Sequence, residues 1–339
     1  MRSFVLFPSM GEYPVYDDAV YDGLAAEDSR WRAYAEALRV AAPGRVVLDV
    51  GTGRDALWAL VAARAGARHV YAIEASPAAA AAARAAVESS GFADRITVLS
   101  GFAADQTLPV RAEVCVSEIL GNIASSEGAI PVLNDCRERL CTPDCAWIPF
   151  RARTMIAAVD VGTPALDPSC RPLLDRVVAA AGGRPPHRDP SSSDGPFDPR
   201  PPLGEPFDPR LCLGEPFDLR LCLGGPASSA LVSSPVVVES DVFDSRRAAP
   251  SPEMSVEVEL VSGKATGLLL WTRVAVASAG REVDTLDGGT RAWAPVYVPA
   301  PLAGRARVGF TRRTSDDGLH PDYTLAVDGV TVWRSPHHV

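Results

Sequence analysis

The feature that most constrains this chain is a repeated join of an apolar strand to a turn and then a helix. Val46-Val47-Leu48-Asp49-Val50 is apolar but for one carboxylate, and it stops at Gly51-Thr52-Gly53. Ala56 to Ala65 then reads as a helix that Gly66 ends. His69-Val70-Tyr71-Ala72-Ile73 is the next strand and ends at Glu74, and Pro77 to about Ser89 is the next helix. Ile96-Thr97-Val98-Leu99 and Val114-Cys115-Val116 are further strands. Residues 25–40 carry an apolar stripe at Trp31, Tyr34 and Leu38 and read as a preceding helix, ended by Pro43-Gly44. Strands alternating with helices build a parallel α/β sheet covered on its faces. Such a sheet binds its ligand at the carboxyl ends of the strands.

The residues at those ends carry chemistry. Gly51 and Gly53 let the backbone turn tightly and approach a ligand. Glu74 offers a carboxylate able to accept both hydroxyls of a ribose. Gly51 to Ala56 also fits G-x-G-x-x-A, so a dinucleotide is a competing ligand. Two features favour S-adenosylmethionine instead. Asp49, two residues before the first glycine, suits a cationic amino group and repels a pyrophosphate. The strand–helix alternation also stops near residue 150, without a second nucleotide-binding half. The structural alternative for Asp49 is that it caps the following helix. After the last strand come Glu118 and Glu127, nine residues apart in Ser117-Glu118-Ile119-Leu120-Gly121-Asn122-Ile123-Ala124-Ser125-Ser126-Glu127. Two carboxylates beside such a cofactor are suited to holding a cation, and a guanidinium is planar, always charged and forked to match them.

The second half reads as β. Val236 to Glu239, Ser255 to Leu260 and Thr324 to Val327 alternate apolar and polar residues or nearly so, with turn signals at Asp287-Gly288-Gly289 and Asp328-Gly329. A barrel or sandwich closing over the cofactor domain is expected, with substrate in the cleft between them. The expected division is therefore residues 1–40 as a helical segment over the cofactor, 41–150 as a Rossmann-like domain and 151–339 as a β domain. The last carries a loop-rich insertion at about 183–234. Within it Gly195-Pro196-Phe197-Asp198-Pro199-Arg200 recurs as Glu205-Pro206-Phe207-Asp208-Pro209-Arg210 and Glu215-Pro216-Phe217-Asp218-Leu219-Arg220. Proline density argues against regular structure in the first two copies. The repeat reads as a duplicated, partly disordered loop unit without specific function, the alternative being a contact arm.

A net charge of −9 argues against nucleic acid, whose phosphates need a basic face. No apolar stretch is long enough to span a membrane and no signal peptide is legible, so a cytoplasmic protein is expected. The seven cysteines then read as reduced thiols. Cys136, Cys141 and Cys145 cluster, but their spacing matches no CxxC pair and no metal site is expected.

Taken together, these stretches resemble the protein arginine N-methyltransferases. Val47 to Gly53 is similar to that family's first cofactor motif, and Gly66 to Ser76 to its second, whose glutamate binds ribose. Gly101-Phe102-Ala103-Ala104-Asp105 falls where the family contacts adenine, and Glu118 and Glu127 match its double-glutamate loop. Glu27-Asp28-Ser29-Arg30 followed by Tyr34 resembles its preceding helix, and Trp293 to Tyr297 with Asp322 to Gly329 resemble parts of its β-barrel. The resemblance implies S-adenosylmethionine as cofactor, with S-adenosyl-L-homocysteine as product. Arg30, Asp49, Gly51, Gly53, Glu74, Ala103, Ala104 and Ser117 would hold it. Glu118 and Glu127 would be catalytic, and Tyr16, Asn122 and Trp293 would meet substrate. A homodimer is implied as well. The departures are specific. Asp55 replaces a motif glycine, and Arg291-Ala292-Trp293 stands where the family has Thr-His-Trp. Tyr16 and Tyr21 match its N-terminal tyrosines only loosely. These departures favour free L-arginine or a related natural-product intermediate over an arginine-containing peptide as acceptor.

Overall fold

The computed structural model describes residues 4–9, 21–22, 28–167, 210, 214–244, 253–280, 282–287 and 293–335. Two sheets organise them. The first contains β2 (Val46–Val50), β3 (His69–Glu74), β4 (Ile96–Ser100), β5 (Ala112–Ser117) and β6 (Cys141–Ile148), all parallel, in the order β4-β3-β2-β5-β6. Helices α1 (Ser29–Ala41), α2 (Leu57–Arg64), α3 (Pro77–Ser89) and α4 (Ala129–Arg139) accompany it. All five residues of β2 are buried, as a central strand covered on both faces requires.

Local chemistry sets the helix starts. The Asp28 carboxylate accepts from the Trp31 amide at 2.9 Å and caps α1. Ser76 caps α3 with Pro77 just inside it, the position where a missing N–H costs nothing. In α1 the buried set is Arg30, Tyr34, Ala35 and Leu38, one face at helical spacing.

The order of the first sheet reverses at β2. The chain moves outward from β2 to β3 and β4, then returns to place β5 on the other side. This is a switch point, where the two directions of connection leave a crevice above the strand ends. Register carries the ends into one row. Val50 pairs with Ile73 and with Ser117, and Glu74 pairs with Ser100. Gly51, Glu74, Gly101 and Glu118 therefore stand side by side along one edge.

The second sheet has ten strands and is mostly antiparallel. It runs from β10 (Val236–Val242) at one end through β7 (Arg151–Val159), β11 (Glu253–Ala275) and β13 (Val296–Thr314), with β14 (Pro321–Val327) and β15 (Val330–Ser335) branching from β13. It encloses its own core, including Trp271, Trp333, Phe217 and Tyr323. An α/β domain followed by a β domain is thus the observed architecture. Among the described residues no helix is long and apolar enough to cross a membrane.

Two expectations require correction. The N-terminal segment is not wholly helical. Val5–Ser9 is strand β1, pairing antiparallel with β9 (Arg220–Gly224) and parallel with β8 (Ala165–Leu166). Its Leu6 enters the second core, where it is fully buried. The third repeat copy is not idle loop either. Phe217 and Leu219 are buried, Leu219 O accepts the Trp333 indole N–H at 3.1 Å, and Arg220 Nε donates to Ser335 Oγ at 2.7 Å. Residues 195–209 lie outside the described residues.

Candidate active site

A cavity of about 660 Å³ opens above the row of strand ends. Its wall includes Gly51, Thr52 and Gly53 after β2, Glu74, Ala75 and Ser76 after β3, and Gly101, Phe102 and Ala103 after β4. Glu118 and Ile119 follow β5, and Glu127 lies at the far end of the same loop. Arg30 and Trp58 line it from the helical side.

The glycines are required by shape. Gly51 has φ +76°, and a Cβ built there would lie 2.7 Å from Ile119 Cγ2. Gly53 has φ +67°, and a Cβ there would lie 3.2 Å from the Tyr21 ring. A left-handed turn close to a side chain is open only to a residue without Cβ. Glu74 fastens this turn, because its Oε2 accepts from Gly53 N at 2.9 Å and its Oε1 from Ser76 N at 2.8 Å. Each carboxylate oxygen has a second lone-pair direction, so these bonds leave Glu74 able to accept hydroxyls as well.

Arg30 is almost fully buried. Its Nη1 lies 3.1 Å from Glu118 Oε2, and its guanidinium sits 5.6 Å from the Trp58 ring centre. Burial raises the Glu118 carboxyl above its ordinary range, while Arg30 beside it and the Trp293 indole pull it down. That indole N–H is directed at the carboxylate but remains beyond a formed hydrogen bond. Tyr34, stacked on Trp58 with centroids 4.9 Å apart, is pushed well above its usual value by burial and then by Glu118.

The structure gives Asp49 another task. It is fully buried and is not part of the cavity wall. Its Oδ2 accepts from Thr52 Oγ1 at 2.6 Å and from Ala59 N, in the first turn of α2, at 2.9 Å. It ties the glycine turn to the helix, which is the capping alternative. Ala104 is exposed and outside the wall, whereas its neighbour Ala103 is inside it. Ser117 is buried in β5 below the cavity, where its carbonyl accepts from Tyr34 Oη at 3.4 Å. Asn122 turns toward the second sheet and donates to Cys222 Sγ at 3.2 Å. Trp293 is core, 2% exposed, and reaches the site only through Glu118. Tyr16 lies outside the described residues.

Phe102, in the stretch matched to the adenine contact, is 61% exposed and lines the cavity. Several other wall residues escaped the sequence reading. Trp58 and Val132 supply apolar wall from α2 and α4, and their helical spacing gave no sign that they face a ligand. Asp317, Leu319 and His320 arrive from the turn between β13 and β14, about two hundred residues after Glu118. The cysteine cluster lies away from the cavity. Cys115, Cys136, Cys141 and Cys145 are buried free thiols, and burial pushes Cys136 up to about 12. Among the described residues no group of three or more His, Cys, Asp or Glu is arranged to hold a metal ion.

Comparison with known proteins gives a consistent fold. The ribosomal protein L11 methyltransferase (PrmA) family model matches residues 35–126. A probable histone-arginine methyltransferase 1.3 of Arabidopsis thaliana is 40% identical over 114 residues, 34% of this chain and 21% of that protein. Protein arginine N-methyltransferase PRMT10 of Oryza sativa subsp. japonica is 38% identical over 116 residues, 34% of this chain and 30% of that one. Protein arginine N-methyltransferase 7 of Rattus norvegicus is 35% identical over 121 residues, 17% of its length. The chain thus matches less than a third of each of these relatives. Two solved structures cover 91% of it. They are the Trypanosoma brucei PRMT1 enzyme-prozyme heterotetrameric complex with AdoHcy, with TM-score 0.63, 19% identity and 91% of that chain covered, and Arabidopsis thaliana protein arginine methyltransferase 10 in an open conformation, with TM-score 0.62, 20% identity and 92% covered. The fold is that of the protein arginine methyltransferases, a Rossmann-like methyltransferase domain followed by a β domain.

Proposed function

We propose that this protein transfers a methyl group from S-adenosylmethionine to a guanidino nitrogen of arginine. What carries the reading is one cavity whose wall holds the glycine turn, Glu74 and both Glu118 and Glu127. Its volume falls within the range of roughly 300–1,000 Å³ usual for small-ligand sites. The residues fit the cofactor. Gly51 and Gly53 open the floor, Glu74 faces hydroxyls, Ala103 and Phe102 offer apolar surface to a base, and Arg30 offers a fork that a carboxylate matches. When bound, S-adenosylmethionine supplies a methyl group on a sulfonium, open to attack by nitrogen.

The remaining work belongs to the chain. Glu118 and Glu127 bind the guanidinium by paired, charge-assisted bonds and fix one terminal nitrogen toward the donor. Their charge also draws the positive charge toward the far nitrogens, which strengthens the attacking one. The Arg30 contact favours the charged Glu118 carboxylate and offsets part of the rise that burial causes. The pair holds the target nitrogen still.

An arginine within a polypeptide is the acceptor we infer, in place of free L-arginine. The relatives named above are histone-arginine and protein arginine methyltransferases. The T. brucei neighbour is an assembly, and we extend the proposal to a homodimer, measurable by sedimentation. The deciding assay offers methyl-labelled S-adenosylmethionine with either free L-arginine or arginine-rich peptides. Label in peptide supports the reading, label in free arginine alone removes the polypeptide acceptor, and no label in either removes guanidine methylation. Glu127→Gln is expected to lower kcat by about a hundredfold or more while cofactor affinity stays within a factor of about three.

A further inference from the structure

The third repeat unit reaches the glutamate loop at two points. Residues 205–214 and 215–224 are the same ten residues but for one, Pro209 in the earlier unit and Leu219 in the later. The last five residues of the later unit, Arg220–Gly224, are β9. Successive side chains of a strand point to opposite faces. Leu221 and Leu223 enter the core of the second sheet, so Arg220 and Cys222 face the other way.

Both of these are buried, and both lead to the backbone between the two glutamates. Cys222 Sγ accepts from Asn122 Nδ2 at 3.2 Å. Arg220 Nε donates to Ser335 Oγ at 2.7 Å, and its guanidinium lies 5.3 Å from the centre of the Tyr323 ring. A cation over an aromatic ring at that distance is attracted to it and helps to fix where the phenol sits. Tyr323 is buried, pairs with Ser335 across β14 and β15, and its hydroxyl is hydrogen-bonded to Ser125 Oγ at 2.7 Å.

Asn122 and Ser125 both fall between Glu118 and Glu127. The loop is folded on itself there. Ser126 N donates to Ile123 O at 2.9 Å and Gly128 N to Ser125 O at 3.1 Å, and a Cβ at Gly121 would overlap Ser126 Oγ. A shift at Ser125 is therefore carried to Glu127, two residues on.

We propose that the third repeat unit positions the glutamate loop, directly through Cys222 and Asn122, and indirectly through Arg220, Tyr323 and Ser125. The proposal rests on the methyl-transfer reading. Tyr323 and Ser125 are positioning residues, since neither is in the cavity wall and both act through the carboxylate of Glu127.

The test is a double-mutant cycle of Tyr323→Phe and Ser125→Ala in the full-length protein. Label transfer to an arginine-rich peptide gives kcat and KM, and calorimetry gives the affinity for S-adenosyl-L-homocysteine. Each single variant should lose about tenfold in kcat, because small displacements at a reacting centre are costly, with cofactor affinity nearly unchanged. The double variant should lose no more than either single one, as expected of two residues that act through one contact. Cys222→Ala should also lower kcat, by a smaller factor, because a thiol is a weak acceptor. Leu219→Pro gives the third unit the sequence of the second. If this variant still binds S-adenosyl-L-homocysteine, its kcat should fall at least as far as that of Tyr323→Phe. If it fails to fold, the cycle decides. Single variants that keep kcat, losses that multiply in the double variant, or a parallel loss of cofactor affinity would each overturn the indirect link, and an unchanged kcat in Cys222→Ala the direct one. A Leu219→Pro protein that binds cofactor and keeps kcat overturns the role of the unit as a whole. A wild type that binds S-adenosyl-L-homocysteine but labels no arginine removes the methyl-transfer reading, and the positioning role with it.

Discussion

Replacing Asp49 by asparagine tests the role that the structure assigns to this carboxyl. Burial, offset by the Thr52 and Ala59 hydrogen bonds and reinforced by Glu74, raises it from its ordinary value of 3.8 to about 7. In the unfolded chain it ionises near the ordinary value, so at pH 5 the folded form keeps a proton that the unfolded form has lost. The folded value is the higher one. The stabilisation is therefore complete below the unfolded value and is lost as pH rises through about 7. From pH 8 down to pH 5 the folded group takes up its proton over about two pH units, at about 1.4 kcal/mol each, or about 3 kcal/mol. The group is fully buried, so no solvent screening reduces this. In Asp49→Asn the amide oxygen keeps the Thr52 and Ala59 donors. The new NH2 falls where Oδ1 now has no hydrogen-bond partner, a cost of about 1–3 kcal/mol. Asparagine does not titrate, so the stability of Asp49→Asn relative to wild type should rise by about 3 kcal/mol between pH 5 and pH 8. Urea unfolding of both proteins at the two pH values, followed by tryptophan fluorescence without cofactor, gives the double difference. A value near zero would mean that Asp49 ionises in the folded protein as readily as in the unfolded chain, and the buried neutral carboxyl would have to be abandoned.

Other consequences can be checked separately. Gly51→Ala forces a Cβ against Ile119 at a left-handed φ; we expect a loss of about 1–3 kcal/mol and at least tenfold weaker S-adenosyl-L-homocysteine binding by calorimetry. Phe217→Ala, in the third repeat copy, should cost about 3–5 kcal/mol in urea unfolding, and a neutral result would return that copy to idle loop. Arg312 is buried against Glu239 and Asp241, so Arg312→Met leaves two carboxylates uncompensated and should cost about 3–5 kcal/mol by the same measurement.

The parallel sheet was legible because its signals are local. Each strand is a short apolar run, α1 and α3 start at the capping side chains of Asp28 and Ser76, and the strand ends fall where the glycines and acids stand. The row of Gly51, Glu74, Gly101 and Glu118 follows from that pattern once the strands pair in register. What was not legible depends on distant partners. Val5–Ser9 pairs on both sides, with residues near 165 and 222, and five residues are too few to show a period. The third repeat copy differs from its predecessors at Leu219, where they carry Pro199 and Pro209. A proline there interrupts a strand, and the leucine lets Arg220–Gly224 form one and fill the core. The capping role of Asp49, one of its two readings, depends on donors at Thr52 and Ala59 that come together only after the turn closes. Asp317 and His320 had no neighbour in sequence to suggest a site.

The glutamate loop is held from two directions, and this makes the second sheet part of the site's machinery. Its first end continues β5 and meets Arg30. Beyond that, Thr272 Oγ1 donates to Gly121 O at 2.7 Å, and Ala124 N donates to Thr154 Oγ1 at 3.0 Å. Thr154 in turn donates to Glu239 Oε2 at 2.6 Å, and Glu239 is bound by Arg312. A chain of buried hydrogen bonds therefore runs from the β-sheet core to the backbone between the two glutamates. Thr154→Val keeps the volume but strands the Ala124 N–H, at about 1–3 kcal/mol. The loop can relieve that cost only by moving, and movement separates the carboxylates from the target nitrogen. We expect kcat to fall by about tenfold or more with cofactor affinity retained, since small displacements at a reacting centre are costly. If Thr154→Val lost stability but kept kcat, the second sheet would support the loop without setting its geometry.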